Sequence, residues 1–212
     1  MRPHVRRAEA VKLAIRGFYA VLDRDDEAFA RSLVSVSRVL QIRLKPHDSQ
    51  IDTATLVRVA RMARRIASEA NAALVINDRV DIALLVGADG VHLGQSDMPI
   101  ADARRIAGET PWIGLSTHNL DQVRAARDAG ADYLGFGPVF STTTKANPDP
   151  VQGIEGLRAA VIAAEGIPIV AIGGITPSHA REIYDAGASA ICAIGAVNTA
   201  IDLATAARAL HV

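Results

Sequence analysis

Cysteine and lysine are both scarce in this chain. A single cysteine, Cys192, in 212 residues excludes an internal disulfide and any multi-cysteine zinc site, and it suits a reducing compartment. An excess of either charge is missing too. The 23 Lys and Arg are balanced by 23 Asp and Glu, with a pI near 7.0, so the electrostatic footprint of a nucleic-acid binder is absent. Balance of this kind still permits a local cationic pocket for a small phosphate. No apolar run approaches the roughly 18 residues of a membrane span. The basic start of the chain (Arg2, Arg6, Arg7) lacks the apolar stretch of a signal peptide, so the expected location is cytoplasmic. Among all the cationic residues only Lys12, Lys45 and Lys145 are lysine, and their positions become informative below.

What the chain does have is alternation. Short apolar, β-branched runs recur at Gly17–Asp23, Val39–Leu44, Ala73–Ile76, Gly90–Leu93, Trp112–Ser116, Tyr133–Phe136, Pro168–Ile172 and Ala190–Ile194. Helix-like segments lie between them. In Asp52–Ala70, Leu56, Val59, Ala60 and Ala63 fall at the 3.6-residue period, and Asp121–Ala129 and Pro177–Ala186 follow the same logic. Thr176 is placed to cap the last of these, with Pro177 at its first position. Three helices end in similar phrases, Gly87–Ala88–Asp89–Gly90, Gly130–Ala131–Asp132–Tyr133 and Gly187–Ala188–Ser189–Ala190, where glycine supplies a left-handed terminal residue before the next strand. Near-continuous apolar strands alternating with helices indicate a parallel sheet covered by helices. Eight βα units in a chain of this length fit a compact single-domain α/β fold, the (β/α)8 TIM barrel. An open doubly wound sheet is the competing layout. The barrel is assigned to residues 17–212, and residues 1–16 to an N-terminal helical arm capping its bottom.

Active sites in such barrels form at the C-terminal ends of the strands. The second run and its exit offer Gln41, Arg43 and Lys45, spaced by two and so on one side of the strand. The third ends in Asn77, Asp78 and Arg79. Gly94–Asp97 follows the fourth, Ser116–His118 ends the fifth, and Thr142, Thr143, Thr144 and Lys145 follow the sixth. Gly173–Gly174 closes the seventh and Ile194–Gly195 the eighth. Glycine turns after the last two strands expose backbone N–H groups suited to one phosphate. Arg43, Lys45 and Lys145 make a second cationic cluster beside two carboxylates, Asp78 and Asp97. That is the usual setting for Mg²⁺, held by one or two carboxylates plus substrate oxygens. Such an inventory suggests a diphosphate leaving group and a phosphorylated acceptor. The polar Ser141–Gln152 stretch reads as a loop on the catalytic rim. Bland readings stand beside these. Asp89 and Asp132 belong to helix-end turns, His92 to the core, Arg79 to an ion pair as readily as to substrate, and Asp78 and Asp97 have a capping reading.

At these residues the chain resembles the thiamine phosphate synthase family. The phrases are QIRLK (Gln41–Lys45), INDRVDIAL (Ile76–Leu84), GADGVHLGQSDMP (Gly87–Pro99), GLSTHN (Gly114–Asn119), GFGPVFSTTTK (Gly135–Lys145), VAIGGI (Val170–Ile175) and GASAICAIGAV (Gly187–Val197). The resemblance implies a transferase that joins 4-amino-5-hydroxymethyl-2-methylpyrimidine diphosphate to a thiazole phosphate, releasing pyrophosphate. It implies Mg²⁺ on Asp78 and Asp97. It places Gln41, Arg43, Lys45, Asn77, Ser116 and Lys145 on the pyrimidine diphosphate, with Arg43, Lys45, Ser116 and Lys145 closest to the chemistry, and counts Ile42 and Leu44 among the substrate-binding residues. It puts Thr142, Thr143, Thr144, Gly174, Ile194 and Gly195 on the thiazole phosphate. The chain departs from the pattern at Gly195, where a serine is common: the backbone N–H survives and the hydroxyl does not. Expected partners are these small molecules and, as for many small barrels, a second copy of the chain. Two other readings remain open. One is a thiazole tautomerase, a related barrel with His118 as its base and no need of a diphosphate site. The other is a non-catalytic protein that binds thiamine precursors without consuming them.

Overall fold

The computed structural model describes residues 3–44, 51–142 and 149–211. Parallel strands form one ring: β1 (Gly17–Phe18), β2 (Ala20–Leu22), β3 (Val39–Ile42), β4 (Ala73–Asn77), β5 (Gly90–Leu93), β6 (Trp112–Thr117), β7 (Tyr133–Phe136), β8 (Ile169–Ile172) and β9 (Ala190–Cys192). The expected first strand is divided at Tyr19. Its β1 half pairs with β9 and its β2 half with β3, while the Tyr19 N–H donates to Ile191 O at 2.8 Å. The two halves occupy a single barrel position, so the order β1-β9-β8-β7-β6-β5-β4-β3-β2 closes on itself. Closure leaves no free edge, and the expected (β/α)8 barrel is the observed architecture.

The surrounding helices are α1 (Pro3–Ala14), α2 (Glu27–Val34), α3 (Thr53–Glu69), α4 (Val80–Val86), α5 (Ile100–Ala107), α6 (Leu120–Asp128), α7 (Gly153–Ala163), α8 (Ala180–Asp185), α9 (Ile194–Asn198) and α10 (Leu203–Arg208). Local chemistry starts several of them. Asp26, Asp52, Asn119 and Asp202 each accept the N–H three residues on, at 2.8–3.0 Å, satisfying donors that a first helical turn leaves bare. The expected Pro177–Ala186 helix differs at its start, where Pro177–His179 winds as a tighter 3₁₀ turn before α8. There the Thr176 N–H donates to the His179 ring at 3.2 Å.

Two apolar layers result. The larger lies between sheet and helices and includes Leu40, Ile42, Leu74, Ile76, Ile113 and Leu134. The smaller fills the barrel interior with Tyr19, Val39, Val75, Trp112, Tyr133, Val170 and Cys192, and Val11 and Ile15 join it from the N-terminal segment. Those two residues close the end of the barrel where the strands begin. The same end is tied by carboxylates. Asp132 accepts from Ile113 N (2.8 Å), Arg104 (2.8 Å) and Arg7 (2.7 Å). Asp89 accepts from Leu74 N (2.8 Å) and Arg64 (2.7 Å). Both aspartates thus do the structural job expected of helix-end residues. Among the described residues, no helix is long and apolar enough to cross a membrane.

Candidate active site

At the opposite end, where the strands finish, lies a cavity of about 720 Å³. It collects residues from every strand position. Gln41 and Arg43 come from the β3 end, Asn77 and Asp78 from β4, His92 and Asp97 from β5 and its loop, and Ser116 and His118 from β6. Ser141 and Thr142 follow β7, Gly173 and Gly174 follow β8, and Ile194 and Gly195 follow β9. Lys45, Thr143, Thr144 and Lys145 lie outside the described residues. The strand pleat sorts the remainder of QIRLK. Gln41 and Arg43 face the cavity, whereas Ile42 and Leu44 turn to the helix-facing core, so any contact these two make there is through backbone.

The two candidate metal ligands are held by backbone geometry. Asp78 sits at φ 63°, a left-handed conformation that is uncommon outside glycine but that Asp and Asn tolerate better than other side chains, and its N–H donates to His92 O at 2.8 Å. It is not a helix cap, since the residue at the start of α4 is Arg79, and that makes no side-chain cap bond. Asp97 Oδ2 accepts from Gly94 N at 2.6 Å, while Pro99 occupies the cap position of α5. The capping reading therefore fails for both. Arg79 reaches Asp81 at 2.9 and 2.6 Å and is absent from the cavity wall, which is the ion-pair arrangement of its two readings. Among the described residues no three His, Cys, Asp or Glu cluster as a cage. Mg²⁺ does not need one: it takes one or two carboxylates and completes its shell with water and phosphate oxygens. Two hard oxygen donors on one wall of a roomy cavity fit that ion.

Arg43 makes no ion pair with any described residue, in contrast to Arg64 of α3 and Arg104 of α5. Its charge is felt inside the barrel. Burial, assisted by Arg43 and opposed by Asp97, pushes the His92 ring down to about 4. Burial pushes the Cys192 thiol up to about 12, with Arg43 acting against it. His92 is therefore neutral and Cys192 a protonated, inert wall residue at ordinary pH.

Along the inner wall of the cavity runs a chain of polar side chains; the sequence reading named Gln41, Asn77 and Ser116 singly and put His92 in the core, but missed Tyr19, Tyr133 and the connection between them. Gln41 Nε2 donates to Asn77 Oδ1 (3.1 Å), and the Tyr19 hydroxyl donates to Gln41 Oε1 (2.8 Å). The Tyr19 and Tyr133 hydroxyls lie 2.9 Å apart. His92 lies between Tyr133 (Nδ1, 3.0 Å) and Ser116 (Nε2 to Oγ, 2.9 Å). Tyr133 is fully buried and burial raises its pKa. A signal was present: Gly114 and Gly135 occupy inward positions on neighbouring strands, leaving a hole that only a large inward side chain fills. A Cβ on Gly114 would lie 2.2 Å from the Tyr133 ring, and one on Gly135 3.3 Å from His92.

The rim beside β8 is also set by close approach. Gly174 has φ 63°, and a Cβ there would lie 2.2 Å from Ser141 O, so this turn is glycine partly because the chain leaving β7 presses on it. The expected eighth strand ends sooner than its sequence suggested, and Ile194 and Gly195 instead open α9. His118 donates from Nδ1 to Gly137 O at 2.6 Å and has Nε2 3.5 Å from Asp149, which ties the start of the β7 exit to the far stem of the rim loop.

Comparison with known proteins agrees with this geometry. The family model described as thiamine monophosphate synthase matches residues 18–197. A thiamine-phosphate synthase of Chloroflexus aurantiacus is 45% identical over 85% of this chain and 81% of its own length. Another, of Moorella thermoacetica, is 42% identical over 85% and 83%. Among solved structures, a thiamine phosphate pyrophosphorylase from Pyrococcus furiosus superposes with a TM-score of 0.84 at 34% identity, covering 94% of this chain and 95% of that one. With a matching family model over nearly the whole barrel, and relatives of this identity aligned along most of their length, the chain belongs to the thiamine monophosphate synthase family.

Proposed function

We propose that the cavity joins 4-amino-5-hydroxymethyl-2-methylpyrimidine diphosphate to 4-methyl-5-(2-phosphoethyl)thiazole, giving thiamine phosphate and pyrophosphate, or to its carboxylated precursor with the additional release of CO2. The chain is an enzyme of the thiamine-phosphate synthase kind. The observation that carries the substrate reading is the meeting of Arg43, Asp78 and Asp97 in one cavity with the backbone of Gly174, Ile194 and Gly195. One group answers a diphosphate with its cation, the other a monophosphate. Residues 17–212 form the catalytic barrel in this reading and residues 1–16 an arm. The expected partners are the small molecules and a second copy of the chain, in the cytoplasm.

The chemistry needs no protein nucleophile. The bond between the pyrimidine methylene carbon and the diphosphate oxygen breaks, and its electron pair leaves with pyrophosphate. The ring amino group supports the carbon cation, and the thiazole nitrogen lone pair forms the new C–N bond, leaving the positive charge on the thiazolium product. Arg43, with Lys45 and Lys145, balances the charge that gathers on the leaving group. Asn77, Gln41 and Ser116 hold the pyrimidine. Backbone N–H groups at Gly174, Ile194 and Gly195, with Thr142, Thr143 and Thr144, hold the thiazole phosphate. Mg²⁺ bound at Asp78 and Asp97 would supply charge neutralisation of the diphosphate. Ile42 and Leu44 contribute backbone only. Exclusion of water by the 141–152 stretch protects the cation from capture as the alcohol.

The test is a product assay with both precursors, in Mg²⁺ or in EDTA. Metal-dependent pyrophosphate release matched by thiamine phosphate is expected. Asp97→Ala should lower turnover at least a hundredfold, the scale of removing one such electrostatic group, while the fold stays intact by circular dichroism. Near-normal turnover in that variant refutes the metal role. Both precursors recovered intact with the wild-type chain refutes the synthase reading.

A further inference from the structure

With the Gln41 amide oriented as it stands, Oε1 towards Tyr19 and Nε2 towards Asn77, counting protons gives the buried chain between Asn77 and Ser116 a direction. Gln41 Oε1 can only accept, so the single Tyr19 hydroxyl proton is committed to it. Tyr19 must then accept from Tyr133 across their 2.9 Å contact. The Tyr133 proton is thereby used, so Tyr133 accepts from His92 Nδ1–H. A neutral ring protonated on Nδ1 has its lone pair on Nε2, which accepts from the Ser116 hydroxyl at 2.9 Å. Every internal proton is now assigned. What remains for the cavity is an acceptor at one end, the Ser116 Oγ lone pairs, and a donor at the other, the Asn77 amide, whose Oδ1 already accepts from Gln41.

We propose that this is a one-way hydrogen-bond relay that presents Ser116 as an acceptor and Asn77 as a donor to the bound pyrimidine diphosphate, with Tyr19, Tyr133 and His92 as positioning residues. The inference rests on the substrate reading above. An acceptor at Ser116 matches the one donor the pyrimidine owns, its exocyclic amino group. A donor at Asn77 matches diphosphate oxygens or a ring nitrogen. The pairing also acts on the rate. As the C–O bond breaks, the amino nitrogen releases its lone pair into the ring, its N–H groups become more acidic, and the bond to Ser116 tightens in the transition state. Donation from Ser116 to His92 enriches the serine oxygen for that role, since linked hydrogen bonds polarise one another. Tyr133 has no exposed surface and so acts only through His92 and Tyr19.

The tautomer of His92 reports the direction without any assay of turnover. In protein labelled with ¹⁵N-histidine, the His92 resonances, assigned by their loss in His92→Gln, should show a protonated Nδ1 and an unprotonated Nε2. A protonated Nε2, or a doubly protonated ring at pH 7.5, overturns the relay. Tyr133→Phe removes the acceptor of Nδ1–H, so the proton should move to Nε2, turning Ser116 into a donor. In that variant kcat should fall about tenfold, the scale of one hydrogen bond, with KM for the thiazole phosphate unchanged. A shifted tautomer with unaltered kcat overturns the catalytic role. His92→Gln keeps an acceptor facing Ser116 and should retain more kcat than His92→Leu; equal loss in the two also counts against the relay. If wild type makes no thiamine phosphate, the substrate reading fails while the tautomer still decides the direction.

Discussion

Gly114→Ala isolates the fit on which the barrel interior depends. A Cβ at this position would lie 2.2, 2.4 and 2.6 Å from Cζ, Cε1 and the hydroxyl oxygen of Tyr133. Such separations are more than an ångström inside ordinary carbon contact, so the ring must move, yet it is fully buried among close neighbours. Overpacking a core of this density costs about 1–3 kcal/mol. Displacing the ring also stretches the hydroxyl's contacts with Tyr19 and His92, each worth about 1 kcal/mol. Together these give a loss of about 3–5 kcal/mol, which for a chain of this size lowers Tm by about 6–20 °C. Differential scanning calorimetry reads that shift. The decisive version is a cycle with Tyr133→Leu, which opens space where the methyl would go. Gly114→Ala should cost less than about 1 kcal/mol in that background, giving strong non-additivity. Equal costs in both backgrounds would refute the claim that Tyr133 is why residue 114 is glycine.

Three further outcomes follow from individual contacts. His92 is held near 4 against an unfolded value of 6.5, so between those pH values the unfolded chain binds the extra proton. Stability from this group is fully present above pH 6.5 and is lost as pH falls towards 4, by about 1–3 kcal/mol once partial solvent access from the cavity is counted. Urea melts at pH 7.5 and 4.5 should show His92→Gln to be less sensitive to acid than wild type. Asp132→Ala strips one acceptor from Arg7, Arg104 and the Ile113 N–H together and should cost about 3–5 kcal/mol with KM values unchanged. A Tm within 2 °C of wild type, roughly the resolution of 1 kcal/mol here, would count against it. Gly195→Ser restores a hydroxyl at the start of α9 and should lower the KM for the thiazole phosphate about tenfold, one hydrogen bond to a charged group, in initial-rate assays; an unchanged KM removes Gly195 from the phosphate site.

The barrel was legible because its signals are periodic and redundant. The runs Gly90–Leu93 and Tyr133–Phe136 match β5 and β7 residue for residue, since a buried parallel strand bounded by glycine leaves little freedom in its limits. Limits blurred where tertiary contacts decide them. Tyr19 divides the first strand because its two halves pair with different neighbours, and no local pattern records that. Ile194 looks like strand by composition but opens a helix once the chain has passed the barrel rim. For the site, alternation placed Gln41 and Arg43 correctly on the cavity side, and grouping QIRLK as one phrase obscured that Ile42 and Leu44 face the other way. The polar relay was not legible. Its six members are scattered from Tyr19 to Tyr133, and its only local trace is a pair of small inward residues, Gly114 and Gly135.

Aspartate shows how the same side chain acquires opposite duties at the two ends of the barrel. Asp89 and Asp132 precede their strands, where helix-borne arginines and a free strand N–H converge on them, so their charge is spent on the fold. Asp78 and Asp97 follow theirs, where the neighbouring elements present backbone and the cavity. Arginine divides in the same way. Arg64 and Arg104 lie on α3 and α5 and are consumed by the lower aspartates, whereas Arg43 stands at the upper end of β3 with no ion pair among the described residues. A barrel supplies this polarity by itself, because every parallel strand begins at one end and finishes at the other. Arg79, which follows β4 and yet pairs with Asp81 on the surface, shows that standing after a strand is not sufficient; the side chain must also face the cavity, as Arg43, Asp78 and Asp97 do. Of the charged residues at the strand ends, these three line the cavity, and in the proposed function they are the groups that meet the diphosphate.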